Sequence, residues 1–232
     1  MHRSHGSRSR LAVLVPALAF LVASGAARAD GPASGGEGGA ARAGGVESTY
    51  GRIDGDASVV VGAGIAIGPR DPRAALDVRL RYLDTVGVFT TYEDGHLFGS
   101  GSDPSRVLAF GLELRPLFLG RWLKGMELGH ARADLLVDSL GIELGGYLAQ
   151  PAGGSFGQRP GLQVGLGLEL PVSGSASGLW VGLHGGLRWS DAALSGDELR
   201  GPSDRAAFLA ITASWHQFFG AHVVDVGDTA PR

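Results

Sequence analysis

The chain has 232 residues, 40 of them Gly and none Cys, which excludes disulfides, thiol chemistry, Cys-held metal and a lipid-modified cysteine. Lys and Arg number 20 against 23 Asp and Glu, and a net charge of −3 offers no basic surface for a nucleic-acid partner.

In chain order, Arg3, Arg8 and Arg10 precede an apolar run from Leu11 to Val22, and Ala27-Arg28-Ala29 supplies small residues for a signal peptidase. The run is too short to span a bilayer as a helix. Residues 1–29 therefore read as a cleaved export signal, with Asp30 as the new N-terminus. Its removal takes four of the 20 basic residues and no acid, which leaves 16 against 23, net −7. Residues 30–49 are Gly- and Ala-rich without an apolar period and read as a flexible leader.

From residue 50 the apolar period becomes two. A first strand covers 57–67, with Val59 and Val61 beside Gly62 and Gly64, and Gly68-Pro69-Arg70-Asp71-Pro72 turns the chain. In the second strand Leu76, Val78, Leu80 and Tyr82 alternate with Asp77, Arg79 and Arg81. That parity runs on to Tyr92, and we break it at Asp84-Thr85, giving a third strand from Val86 to Tyr92. The break brings the count from seven to eight, as an even-stranded bacterial barrel requires. A loop at 93–105 precedes a fourth strand, Val107 to Arg115, with Glu113 and Arg115 opposite Leu108, Phe110, Leu112 and Leu114.

Phe118, Trp122 and Met126 then recur every four residues, so 117–131 is predicted to be a short helix. It either lies at a membrane interface or packs as a connector. The fifth strand is predicted from Asp134 to Leu148, with Glu143 inward and a β-bulge at Gly145-Gly146 before Tyr147. The sixth, 160–171, is the clearest. Leu162, Val164, Leu166, Leu168 and Leu170 hold one parity; Gly161, Gln163, Gly165, Gly167 and Glu169 hold the other. A turn at 173–177 leads to a seventh strand ending at Trp189, with Trp180, Gly182, His184, Gly186 and Arg188 on one face. After a polar loop at 190–204, the eighth strand places Leu209, Ile211, Ala213 and Trp215 opposite Phe208, Thr212, Ser214 and His216.

The non-apolar parity is mostly Gly, Ala and a few charges, not the Lys, Glu and Thr of a soluble sheet's outer face. Such residues suit the crowded interior of a narrow barrel whose bulky residues face lipid. The expected fold is all-β: an antiparallel up-and-down transmembrane barrel of about eight strands over 50–219, followed by a polar tail at 220–232. The export signal, the lack of Cys and the eight alternating segments resemble the small eight-stranded bacterial outer-membrane β-barrel proteins. That resemblance implies residence in the outer membrane as a monomer in contact with lipid. It also implies recognition by the barrel assembly machinery through a terminal aromatic signal, for which Trp215, Phe218 and Phe219 are the candidates.

The inward charges are Asp77, Arg79, Arg81, Glu113, Arg115, Glu143, Glu169, His184 and Arg188. A narrow lumen cannot hydrate all of them, so they are expected to pair into a plug that fixes strand register. No cofactor, metal site or catalysis is expected. Gly153-Gly154-Ser155-Phe156-Gly157 matches a nucleophile elbow in letters, but no strand-to-helix turn surrounds it. Ser214 and His216 share the inner face with Glu143 and Glu169, the residue types of acyl transfer. A membrane-embedded lipid-modifying enzyme is therefore the alternative, and a periplasmic barrel holding lipid in an apolar interior is a third.

Overall fold

The structure is a computed structural model that describes residues 50–52, 55–96, 104–196 and 204–221. The signal and leader assignments and nearly all of the tail lie outside the described residues. Eight strands follow in order: β1 (Ala57–Ile67), β2 (Pro72–Tyr82), β3 (Val86–Asp94), β4 (Arg106–Leu114), β5 (Gly141–Gln150), β6 (Gly161–Pro171), β7 (Gly178–Trp189) and β8 (Arg205–Phe219). Each pairs antiparallel with the next, and β8 closes on β1 with Ala57 opposite Phe219 and Ile67 opposite Leu209. Closure leaves no free sheet edge. Because the strand number is even, the first and last strands have their outer ends together, and we call this the terminal end. The opposite end, where β1, β3, β5 and β7 finish, we call the loop end.

Alternation sets what faces where. On β6, Leu166 is 57% exposed while Gln163 and Glu169 are buried, and on β4 Leu112 is 60% exposed beside a buried Glu113. The same holds around the ring, so the barrel wears an apolar belt and holds its charges inside.

The break at Asp84-Thr85 is a real turn. Leu83 and Asp84 both have φ of 48°, and the Thr85 N–H donates to the Tyr82 carbonyl at 3.1 Å. Two consecutive left-handed residues make the tight hairpin turn whose twist matches the flanking strands. Without Gly or Asn in either position the turn is strained.

Several predicted features change. The fifth strand begins at Gly141, because Asp134 belongs to a helix; the connector holds two helices, α1 (Leu117–Leu123) and α2 (Ala131–Asp138). Positive φ at Gly125 and Gly129 separates them. No bulge occurs at Gly145-Gly146: both keep continuous partners on β4 and β6, and Tyr147 stays on the inward parity of Glu143. The second and third strands extend further toward the loop end, taking in Arg73 and Glu93, and the predicted loop at 190–204 opens with a short helix, α3 (Asp191–Ser195).

Candidate functional site: the charged lumen and its helical plug

Glycine on the inner parity makes room for charge. A Cβ on Gly167 would lie 2.7 Å from His184 Nδ1, and one on Gly182 would lie 2.7 Å from Thr212 Oγ1. Into that space β2 projects Arg73, Asp77, Arg79 and Arg81, all buried. Three tiers result.

At the loop end Glu93 accepts from Arg73 Nε at 2.9 Å and from Arg188 Nη2 at 2.6 Å. Arg188 Nε also donates to Gln163 at 2.7 Å, and its guanidinium lies 4.2 Å from the Phe208 ring centroid. In the middle, Arg79 donates to Asp77 and to Glu143, each at 2.7 Å, and Thr91 adds a bond to Asp77 at 2.8 Å. His184 Nδ1 sits 2.8 Å from Glu143.

The lowest of the three tiers joins Arg81 and Arg115 to both Glu113 and Glu169. Arg79 Nη1, 3.4 Å from Glu113, ties the middle tier to it. All nine charges predicted for the lumen are buried, and each is placed in this network. The cavity between the upper tiers is about 10 Å³, room for about one water.

Below the network the connector closes the terminal end. Leu135 of α2 is fully buried with Ala176, Trp180 and Phe218. Asp134 and Asp138, one turn apart on α2, are both held by Arg121, at 2.6 and 2.5 Å. Asp138 also accepts from Arg52 at 2.6 Å, and Arg52 reaches Asp84 at 3.6 Å and lies over the Phe118 ring. Asp84, from the strained turn, is in turn 3.5 Å from Arg115 of the lumen. Ser139 Oγ lies 2.8 Å from both the N and the O of Glu169 and satisfies β6 where β5 has ended. Burial acts to raise the Asp134 carboxyl pKa, but the Leu128 N–H, Arg121 and Tyr50 outweigh it and hold the group below its ordinary range.

Among the described residues six Arg and eight carboxylates are buried, and the half-buried Arg121 makes seven to eight. So even a balance favours neither ion sign. Of the segment 117–131 predicted as one helix, only Leu117–Leu123 is helical before α2 begins at Ala131, and the segment has two sides. Phe118 packs inward, while Leu123, Met126 and Leu128 are exposed.

Seven charged participants escaped the sequence reading: Arg52, Arg73, Asp84, Glu93, Arg121, Asp134 and Asp138. Continued parity on β2 and β3 was the available signal for Arg73 and Glu93.

Ser214 and His216 do meet, with Oγ 3.1 Å from Nε2, and Glu169 lies 3.6 Å from that same nitrogen. A relay needs hydroxyl and acid on opposite ring nitrogens. His216 is instead stacked on Trp180 at 4.5 Å inside the barrel, and Glu169 is committed to two Arg. Gly153 to Gly157 lies in the loop between β5 and β6 with no helix after it.

A closed eight-stranded antiparallel ring, apolar outside and ion-paired within, is the architecture of the small outer-membrane barrels as a class. No family model matches the chain, and no curated protein does. Among solved structures, the crystal structure of Neisserial surface protein A (NspA) is similar at a TM-score of 0.35 and 10% identity, covering 70% of this chain and 96% of that one. A likeness of that size adds nothing to the fold, which rests on the closed ring itself.

Proposed function

We propose that the protein is a monomeric outer-membrane barrel of structural or interaction type, exported by a cleaved signal, with a lumen closed to solutes and no catalytic role. The observation that carries this reading is the inversion of the fold: bulky apolar residues outside, ion pairs inside. In water such a belt would be an aggregation-prone surface, whereas in a bilayer it is solvated by acyl chains. The charged interior is the opposite of what a periplasmic lipid carrier needs, and the shared-nitrogen geometry at His216 gives the lipid-modifying alternative no support.

On this reading the terminal end faces the periplasm, and the exposed Leu123, Met126 and Leu128 rest in the lipid interface below the belt. Trp215 and Phe219 face outward on the last strand, where the assembly machinery would read them, while Phe218 is buried against α2. Fractionation tests the proposal: most of the protein is expected in detergent extracts of outer membrane, and planar bilayers containing it are expected to stay non-conducting. Recovery in a salt-washed soluble fraction would overturn membrane residence, and steady unitary currents would overturn the closed lumen.

A further inference from the structure

A cavity of about 180 Å³ opens at the loop end, above the Arg73–Glu93–Arg188 tier. Its walls are Pro69, Pro104, Val107, Ala149, Pro151 and Ala206, and its floor holds two guanidiniums and a phenol. Glu93 engages Arg73 through Nε and Arg188 through Nη2. Both Nη nitrogens of Arg73, Nη1 of Arg188 and the Tyr147 hydroxyl have no hydrogen-bond acceptor among the described residues. Arg73 Nη2 lies beneath Gly68, where a Cβ would come within 2.5 Å of it, so the guanidinium is turned up toward the mouth. Tyr147 is 6% exposed, its ring faces the Arg188 guanidinium at 5.6 Å, and it lines the cavity itself.

Donors that line an open cavity are met by water or by the acceptors of a ligand. Guanidinium nitrogens and a phenolic O–H all donate, and their common complement is a planar anion. We infer that this mouth binds a small carboxylate with a short aliphatic or single-ring body. The anion would sit against Arg73, Arg188 and Tyr147, and the body would lie along the proline and alanine walls. Two Arg face one Glu at the floor, while Asp204 on the wall accepts from Ser190 Oγ at 2.8 Å. Recognition therefore rests on the directed donors and not on a net positive field. The volume, about six waters' worth, excludes an acyl chain of lipid length. Binding here does not depend on where the barrel resides.

The probe is 4-fluorobenzoate, titrated by fluorine NMR into the full chain in non-ionic detergent micelles, with 4-fluorobenzamide as the neutral isostere. Saturable binding of the benzoate is expected, and none of the benzamide. Tyr147→Phe removes one donor and nothing else, and should weaken binding roughly three- to tenfold. Ala206→Phe fills the cavity from the rim of β8 and should abolish it. Both variants are compared only after their heat-resistant mobility shows a folded barrel. An equal response from the benzamide, no saturation by the benzoate, or a titration unchanged in either variant would overturn the site.

Discussion

Arg79 is the residue on which the lumen network turns. Among the described residues it is the one that touches all three of Asp77, Glu113 and Glu143, and its guanidinium lies over Phe89. Replacing it with Ala would leave Asp77 and Glu143 buried without their cation, a loss of about 3–5 kcal/mol. Arg188→Ala is predicted to cost less, about 1–3 kcal/mol, because Glu93 keeps Arg73. Thermal melts of the two variants in detergent measure the order, and an Arg188 variant weaker than the Arg79 variant would contradict it. Parity alone made Arg79 and its eight companions legible, since every second residue of a strand must share a face. Glu93 was hidden by its neighbours Asp94 and Gly95, which have the look of a loop. Arg52 could not be read at all, because nothing local says that Asp138, 86 positions on, will bring an opposite charge; Asp134 and Asp138 were lost with the helix that carries them.

At the scale of elements, the hairpin between β2 and β3 and the helix α2 share a cause. Leu83 and Asp84 sit in the left-handed region at about 1–2 kcal/mol each. Asp84 is held there by Arg52 and Arg115. Leu83 is held only through its backbone, its N–H donating to the Asp56 carbonyl at 2.7 Å and its carbonyl accepting from Thr85 Oγ1 at 2.9 Å. Glycine keeps both bonds, so Leu83→Gly should relieve the strain and raise stability by about 0.5–1 kcal/mol after the entropy glycine costs. A lowered melting midpoint in that variant would count against the strain.

The Asp134 carboxyl is held below its ordinary value in the folded plug, so its contribution is fully present above the unfolded pKa of about 3.9. It is lost as pH falls through the lower, folded value. Hydrogen exchange in α2 should therefore quicken below about pH 4, before the strands respond, and Asp134→Asn should flatten that dependence. Exchange in α2 that stays constant to the pH where the barrel melts would refute it. The plug was half legible: the four-residue spacing of Phe118 and Trp122 announced a helix. The run Leu135-Leu136-Val137 passed for a strand, because a short apolar run fits either period.

At the scale of the molecule, the described residues form an inverted barrel, and its alternation was legible across nearly every strand. What alternation could not say is which face is inside, and the crowding of Gly on one parity decided that correctly. The chain's lack of cysteine makes the arrangement directly measurable, because any introduced Cys is the sole thiol. Leu112→Cys, Leu166→Cys and Leu183→Cys, each carrying a small fluorophore, report the outer face in reconstituted vesicles. All three lie on exposed apolar positions of the belt. The account predicts strong quenching of each by lipids bearing a mid-chain nitroxide and almost none by aqueous iodide. Iodide quenching without nitroxide quenching at these positions would contradict it and place the belt in water.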